Sequence, residues 1–531
     1  MISGPLATAY RRIAPLVPSA CLALGTVPVI CARVLQWLIW EDRAEDGAMH
    51  HVDAALTWRE DEGSAKLVPL VSTTVAHDLP SFSVEDVAKH NTRGDAWIII
   101  EGFCYDVSLY IDQHPGGLRP IVNMAGKDCT DAFGNFHGAK VYRNHLPALR
   151  VGRVLGVVVP PHVADFRALR QELLRRGLFH TRWQYYAKMA MWYTALFTAS
   201  LYFTIVCTNR TSHIVGALMM GLFWQQIAGL GHDLGHSGVS HCLDQDYFFG
   251  ATVGNALTGI STGWWKRSHN THHVVCNSIE HDPDIQHLPI FAVSPSIFEY
   301  PVVSSYHGKT FYMCHLARCL VSNQHYIFYP VMLVARFNLY IQGWRLILSP
   351  TGVELRYRRT EAAALLIFGV WVSSLVLTLP TWAETVGWVL ISHATTGLLH
   401  VQIAISHWAM HTYHGHGYND ASDEWYITQL HTTMNVLTPP ILDWFHIGLQ
   451  FQIEHHLFPR LPRHNLRTAQ KLVRAVCDKH AIHYNEASFF RAQTETIACL
   501  RVAAVASRVN AHDPKHGYSH SRLWDGINAI G

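Results

Sequence analysis

Residues 214–236 have the sequence IVGALMMGLFWQQIAGLGHDLGH, in which an uncharged apolar run leads directly into two histidines. The run from Ile214 to Leu230 is close to the roughly 20 residues that a helix needs to cross a bilayer core. Beyond it, His232 and His236 are four residues apart, so a continuing helix presents both on one face. This stretch therefore predicts a membrane helix that carries a pair of imidazoles at its end.

Three further uncharged runs indicate a polytopic membrane domain, at residues 189–207, 362–379 and 386–406. Basic residues precede the first run (167–188) and the third (356–359), and positive flanks favour the cytosolic side. Four spans then leave residues 1–188, about 232–361 and everything after 407 in the cytosol. The runs at 248–263 and 327–348 are weaker and are expected to be interfacial or re-entrant.

The composition agrees with a membrane protein, since 49% of residues are hydrophobic and only 15% are charged, against about 25% charged in a typical soluble domain. The net charge of +2 gives no reason to expect a nucleic-acid partner. The 11 cysteines include no CxxC pair, which favours reduced thiols. The 37 histidines could be scattered surface residues or could form a polyhistidine metal site, and their positions distinguish the two.

The histidines form three clusters in the segments expected in the cytosol. His232-Asp-Leu-Gly-His236 is followed by His269-Asn-Thr-His-His273 and by Gln452-Ile-Glu-His-His456, called boxes 1, 2 and 3 below. Seven histidines at such spacings suit two metal ions, although imidazole is compatible with iron, zinc and copper alike. Asp233-Leu-Gly lacks the catalytic Glu of the HEXXH zinc motif, which argues against a zinc protease.

A soluble segment precedes the membrane runs. Ser81-Phe-Ser-Val-Glu85 indicates a helix start, and Ala96–Ile100 followed by Glu101-Gly102 indicates a strand and a turn. Further on come His114-Pro-Gly-Gly117 and Phe136-His137. Two such histidines can approach a haem iron from opposite faces, which gives a haem that transfers electrons and has no site for oxygen.

Residues 79–155 resemble a cytochrome b5 domain, with HPGG, Gly126-Lys-Asp128 and Phe136-His137 in the family's order. The resemblance implies that His114 and His137 are the axial ligands of a haem b. A one-electron donor on the same chain has no use for redox-silent zinc, so the metal of the boxes is expected to be iron.

The three boxes, in this order and after membrane spans, resemble those of the membrane fatty-acyl and sphingolipid desaturases. Gln452 in place of a histidine, together with an N-terminal cytochrome b5 domain, is typical of the front-end branch of that family. The resemblance implies two non-haem iron ions, O2 as co-substrate and catalytic residues that include Gln452. By it the iron ligands are His232, His236, His269, His272, His273, His455 and His456.

The expected architecture is an α+β cytochrome b5-like domain followed by an all-α polytopic desaturase domain, with about four transmembrane helices and a cytosolic helical cap. The expected divisions are an extension and linker (1–78), the haem domain (79–155), a basic linker (156–188), the membrane domain (189–480) and a C-terminal tail (481–531). The resemblance implies a multi-pass protein of the endoplasmic reticulum membrane, with haem and catalytic parts facing the cytosol. An NADH-cytochrome b5 reductase is the implied electron donor.

Other polar residues near the spans allow two interpretations each. His407, at the end of the fourth span, is a candidate additional metal ligand, or it makes an interfacial hydrogen bond. His411, His414 and His416 fit a solvated loop better than a site. Glu280-His-Asp-Pro-Asp284 either orients ligating histidines or is an ordinary loop.

The predicted activity is Delta-8 desaturation of the long-chain base of ceramides. It is implied by residues 264–284 and 451–463, which resemble the fungal sphingolipid Delta-8 group. The alternatives are a front-end Delta-5 or Delta-6 acyl-lipid desaturase and a cytochrome b5-fused di-iron lipid hydroxylase. A haem carrier without enzymatic activity would not need the boxes, and a zinc-dependent membrane hydrolase would not need reducing equivalents.

Overall fold

A computed structural model describes residues 79–509, apart from residues 300, 312, 314, 350–354 and 417–423. The extension and linker expected at 1–78 therefore lie outside the described residues, as do residues 510–531 of the expected tail. The described chain has an α+β unit followed by a mostly helical unit.

The α+β unit spans residues 79–155 and contains a five-stranded sheet covered by short helices. The strand order is β1-β5-β4-β3-β2, with β1 parallel to β5 and the other neighbours antiparallel. The strands are β1 (Ser81–Ser83), β2 (Asn91–Thr92), β3 (Asp95–Ile100), β4 (Phe103–Asp106) and β5 (Arg150–Leu155). The helices are α1 (Val84–Ala88), α2 (Leu118–Met124), α3 (Thr130–Phe136), α4 (Ala139–Asn144) and α5 (Leu146–Leu149).

Local sequence accounts for the first elements of this unit. The Ser83 hydroxyl accepts a hydrogen bond from the Asp86 N–H at 3.1 Å, and the Asp86 carboxylate accepts one from the Ser83 N–H at 3.1 Å. This reciprocal capping box starts α1. The strand predicted at Ala96–Ile100 is confirmed, and Glu101 and Gly102 form the turn after it with φ angles of 52° and 74°.

Residues 156–188, where the sequence indicated a basic linker, contain helix α6 (Pro161–Arg175) and the start of the next helix. Val163, Phe166, Leu169 and Leu173 are spaced by three or four residues and are buried on one face of α6. They pack in a core shared with Ile111 and Met124 of the haem domain and with Phe451 and Leu457 near box 3. The two units are thus joined through one hydrophobic core.

Among the residues that the structure describes, three helices are long and apolar enough to cross a membrane: Trp183–Val206, Arg210–Gly235 and Arg358–Val376. The first comprises α7 (Trp183–Leu201) and a π-helical end, and the others are α8 (Arg210–Gly235) and α14 (Arg358–Val376). The fourth expected span corresponds to α15 (Trp382–Ala404), which carries polar residues such as His393, Thr396 and Gln402. The described part of the chain therefore contains three candidate spans, and the expected number of four is not established.

The remaining elements lie on or between these helices. The helices are α9 (Leu243–Gly250), α10 (Thr262–Val274), α11 (His315–Val321), α12 (Gln324–Val334), α13 (Arg336–Leu348), α16 (Trp425–Thr432), α17 (Asp443–His446), α18 (Gln452–Leu457), α19 (Leu466–Lys479) and α20 (Phe489–Val509). The strands are β6 (Val302–Ser304) paired with β7 (Lys309–Phe311), and β8 (Asn435–Leu437) paired with β9 (Glu486–Ser488). Part of the expected tail, residues 481–509, thus has regular structure.

Close packing brings α8 and α15 together. A Cβ atom added to Gly221 of α8 would lie 2.4 Å from the Ser392 carbonyl oxygen of α15, so the glycine permits this approach of two backbones. One turn further along α8, Gln225 donates a hydrogen bond of 2.9 Å to Gln402 of α15. The ends of both helices, which carry box 1 and His407, are therefore fixed beside each other.

Candidate metal centre and haem site

The three boxes lie on three separate elements. Box 1 is the last turn of α8, box 2 is the second half of α10, and box 3 is the short helix α18. Helix α10 begins at Ser261, whose hydroxyl accepts a hydrogen bond of 3.1 Å from the Trp264 N–H. The carboxylate of Glu361 on α14 accepts hydrogen bonds from the Ser261 hydroxyl at 2.5 Å and the Gly263 N–H at 2.9 Å. These bonds fix the direction in which box 2 points.

Helix α18 has only six residues, so tertiary contacts must hold it in place. The side-chain oxygen of Asn435 accepts a hydrogen bond of 2.9 Å from the Ile453 N–H. The side-chain NH2 group of Asn435 donates one of 2.7 Å to the Glu454 carboxylate. Glu454 also accepts a hydrogen bond of 2.6 Å from the Tyr484 hydroxyl. Box 3 is therefore anchored by strand β8 and by a residue that precedes β9.

The first group of ligand atoms combines all three boxes. One nitrogen from each of four histidines lies within 4.8 Å of the others, in His232, His236, His269 and His455. A bond from metal to imidazole nitrogen is about 2 Å long, so two ligands of one ion are at most roughly 4 Å apart. Small side-chain rotations would bring these four nitrogens onto one ion.

The second group contains three imidazoles and a thiol, again within 4.8 Å of one another: His272, Cys276, His407 and His456. The rings of His272 and His407 are 4.7 Å apart, and those of His407 and His456 are 4.9 Å apart. His407, for which the sequence left two interpretations open, thus lies among the box histidines. Its Nδ1 is also 3.3 Å from the Thr432 carbonyl oxygen.

His273 lies between the two groups. Its ring stacks on that of His456 at 4.1 Å, and its Nε2 is 3.1 Å from Nε2 of His269 in the first group. Its Nδ1 is buried without a hydrogen-bond partner. The eight histidines predicted from the sequence therefore form one continuous cluster.

Neighbouring polar groups orient several of these rings. Nδ1 of His272 is 2.9 Å from the fully buried carboxylate of Asp282, and Nδ1 of His456 is 2.8 Å from Oε1 of Gln429. Ligating histidines usually use the second ring nitrogen in this way, which fixes the tautomer and leaves Nε2 for the metal. Asp282 belongs to the 280–284 segment, and its contact favours the first of the two interpretations of that segment.

Buried nitrogens without a partner test whether the residues fit a metal. Nε2 of His236, His455 and His456 is buried and has no hydrogen-bond partner. Unpaired polar atoms in a protein interior are costly, and a metal ion satisfies such atoms. Burial, followed by the charges of neighbouring histidines, holds the pKa of His455 and of His456 well below its usual range. Neutral imidazole is the form that binds metal, so the donor set fits two ions such as iron.

Gln452, which precedes His455 by three residues in box 3, is buried. With His232 and His455, it lines a cavity of about 90 Å³ whose other walls are largely apolar. The lining includes Trp265, Leu399, Ile403, Ile447 and Leu449. A cavity of this kind next to the histidines suits a methylene segment of a lipid chain.

The predicted haem ligands face each other across the surface of the α+β unit. The ring centres of His114 and His137 are 5.9 Å apart, close to the roughly 6 Å expected for two imidazoles bound about 2 Å from one iron. Nδ1 of His114 is 2.8 Å from the Gly117 carbonyl oxygen, and Nδ1 of His137 is 3.0 Å from that of Phe133. Both Nε2 atoms are thus left for the haem iron.

The haem domain contacts box 2 directly. The Asn270 amide donates a hydrogen bond of 3.1 Å to the Gly116 carbonyl oxygen. The ring of Phe136, the neighbour of His137, meets the ring of His273 edge-on, with 6.0 Å between centres. The residue next to a predicted haem ligand therefore contacts a histidine of the cluster.

Sequence reasoning did not single out Cys276 or Gln429. The Cys276 sulfur is 3.6 Å from Nδ1 of His407 and 3.9 Å from Nε2 of His272. Its position four residues after His272 on the box 2 segment was a usable signal. Gln429 gives no comparable signal, because only the fold brings α16 against His456. His411, His414 and His416 belong to neither group, and His414 contacts Glu280 at 2.6 Å.

Comparison with known proteins agrees with both resemblances. Residues 209–488 match the family model "Fatty acid desaturase", and residues 83–155 match "Cytochrome b5-like Heme/Steroid binding domain". A Delta(8)-fatty-acid desaturase 2 of Arabidopsis thaliana is 40% identical over 84% of this chain and 97% of its own length.

Two other relatives are named for different lipid classes. An Acyl-lipid (9-3)-desaturase of Borago officinalis is 38% identical over 84% of this chain and 98% of its own length. A Delta 8-(E)-sphingolipid desaturase of Kluyveromyces lactis is 38% identical over 70% of this chain and 64% of its own length. The chain thus belongs to the fatty acid desaturase family, as a member that carries its own cytochrome b5-like domain.

Proposed function

We propose that this protein is a Delta-8 sphingolipid desaturase that introduces a double bond into the long-chain base of ceramides. The observation that carries the proposal is the single cluster of eight histidines from boxes 1–3 and His407, in contact with the haem domain through Phe136. A metal centre joined to an electron donor and to an apolar cavity suits oxidation of an unactivated hydrocarbon.

Two iron ions are the metals that this donor set would hold. His232, His236, His269 and His455 would bind one, and His272, His407 and His456 the other, with His273 between them. When bound, the irons supply O2 activation, so that O2, two electrons, two protons and two hydrogens from adjacent methylenes give a double bond and two waters. Gln452 lines the cavity next to His455, and we assign it to the wall beside the substrate chain.

The protein's residues orient the metals and exclude water. Asp282 and Gln429 hold the rings of His272 and His456. Leu399, Ile403 and Leu449 give the cavity an apolar wall. Because an unactivated methylene offers no polar group for recognition, the position of the double bond must depend on the distance between this cavity and the bound head group.

The electrons would come from haem b, held by His114 and His137. When bound, this haem carries one electron at a time, and an NADH-cytochrome b5 reductase is the proposed donor. Covalent fusion gives the haem domain a high effective concentration at the metal centre. The contacts of Asn270 and Phe136 place the haem ligands beside box 2.

We place the protein in the endoplasmic reticulum membrane, with α7, α8, α14 and α15 as four spans. The histidine boxes lie at one end of these helices, which is also the end where α14 begins with Arg358 and Arg359. The positive-inside rule makes that end cytosolic. The haem domain, which packs against box 2, then faces the cytosol as well.

The substrate is inferred from the relatives, among them the yeast sphingolipid desaturase. The borage relative favours a second candidate, an acyl lipid as substrate, with the same reaction at the metal centre. A hydroxylase with the same ligands would leave an oxygen in the product.

Lipid mass spectrometry with double-bond localisation tests the proposal, in yeast that lacks sphingolipid desaturation and expresses this chain. A Delta-8 double bond in ceramide long-chain bases, absent with His272→Ala, is the expected result. New double bonds in fatty acyl chains would retain the reaction and replace the substrate. A hydroxylated product, or unchanged lipids in cells that contain the haem-loaded protein, would refute desaturation.

A further inference from the structure

Arg460 of the desaturase unit lies beside the haem ligand His137. It follows box 3 by four residues, and its Nη1 is 3.1 Å from the position that a Cβ atom on Gly138 would occupy. Gly138 is the residue directly after His137. A cationic side chain from one unit therefore occupies the edge of the haem site on the other.

Within the part of the chain that the structure describes, Arg460 has no ion pair and no hydrogen bond, and its Nε is buried without a partner. Burial, then the charge of Arg170, lowers the pKa of Arg460. Asp246 also acts on Arg460 electrostatically, but its carboxylate accepts hydrogen bonds from the N–H groups of Val239 and Ser240. Arg460 is thus a largely buried cation without an anion bound to it.

Arg170, on helix α6, reinforces this positive charge. Its Nε is likewise buried without a partner among the described residues, and its charge acts on Arg460 and also on Tyr142 and Tyr426 near the haem domain. A largely buried guanidinium group that is repelled by a second guanidinium group is unfavourable unless an anion joins them. Arg170 and Arg460 together therefore indicate an anion-binding site.

Haem b brings two propionate carboxylates on one edge of its ring. We propose that Arg460, together with Arg170, binds these carboxylates, so that the desaturase unit completes the haem site. The inference rests on the proposed ligation of haem by His114 and His137. Guanidinium and carboxylate form charge-assisted, often bidentate hydrogen bonds, and the absence of a side chain at Gly138 lets the Arg460 guanidinium approach the residue next to His137.

The arrangement has a consequence for the whole protein. Arg460 is on the loop that continues from His456, and Arg170 is on the helix that links the haem domain to the first span. A propionate held by both would tie the haem to the loop that follows box 3. Haem retention then depends on residues outside residues 79–155.

The test measures haem transfer from the full-length protein, in detergent micelles, to excess apomyoglobin. Each variant is loaded either with haem b or with haem dimethyl ester, which has the same ring and iron but no carboxylates. Arg460→Gln is expected to accelerate loss of haem b roughly 10- to 100-fold, the range for a charge-assisted hydrogen bond. Loss of the dimethyl ester should be unchanged, because it offers no anion to Arg460.

Two further variants sharpen the result. Arg460→Lys keeps the charge and should restore part of the retention of haem b. Arg150→Gln is the matched control, since Arg150 also has a buried Nε without a partner but lies on β5 and stacks on Phe103 at 4.5 Å; it should retain both haems.

Equal acceleration for both haems in Arg460→Gln, or unchanged loss of haem b, would overturn the inference. A wild-type protein without the absorption band of bis-histidine haem would instead refute the proposed haem ligation itself.

Discussion

Asp282→Asn tests whether the metal centre depends on the carboxylate behind His272. Oδ2 of Asp282 is 2.9 Å from Nδ1 of His272 and accepts a hydrogen bond of 2.6 Å from the Asn277 N–H, and Oδ1 accepts one of 2.8 Å from the Asp284 N–H. Asparagine keeps one acceptor oxygen and replaces the other with an NH2 group. At least one of the three N–H donors must then face another donor.

The expected loss of metal affinity follows from the donor that is left without an acceptor. A buried donor left without an acceptor costs about 1–3 kcal/mol, and Asp282 is fully buried. His272 also loses the negative charge that fixes its tautomer. Removal of such an orienting partner typically weakens metal binding by about 10–100-fold. We therefore expect Asp282→Asn to lose iron at chelator concentrations that leave the wild-type protein loaded.

The measurement is iron per polypeptide across a chelator titration, with the haem absorption band as an internal measure of folded protein. Glu280→Gln is the matched control, because that carboxylate belongs to the same segment but contacts His414 at 2.6 Å and the Gly415 N–H at 2.7 Å. It should shift the titration much less. If Asp282→Asn retains iron as the wild type does, orientation of His272 by Asp282 is not what holds the metal.

Three other changes have defined outcomes. His407→Ala should reduce non-haem iron from about two ions per chain to about one with the haem band unchanged, and retention of both non-haem ions would exclude His407 as a ligand. Phe136→Leu should slow re-oxidation of the reduced haem in stopped-flow absorbance without shifting the haem spectrum, whereas an unchanged rate would show that the edge contact with His273 is not needed. Glu361→Gln should destabilise the protein by about 1–3 kcal/mol, because an NH2 group replaces one of the two oxygens that accept hydrogen bonds from the Ser261 hydroxyl and the Gly263 N–H. An unchanged thermal unfolding midpoint would contradict this.

Much of the site could be predicted from the sequence because its signals are local. Spacings of three and four residues place His269, His272 and His273 on neighbouring faces of one helix turn. The positions of His114 and His137 similarly follow from short motifs. Local hydropathy also located α7, α8 and α14. It could not establish α15 as a span, because polar residues such as Gln402 lower its hydropathy while making contacts inside the protein.

Contacts between distant segments were decided only by the tertiary structure. The sequence left His407 undecided, and packing of α15 against α8 brings it to His272 and His456. Gln429 and Arg460 carry no local pattern, because each acts on a residue that belongs to another element. Helical periodicity determines which side chains share a face, whereas the crossing of helices determines which faces meet. The sequence by itself therefore specified the candidate ligands and their arrangement in three boxes, and the fold determined how they form two neighbouring groups beside the proposed haem site.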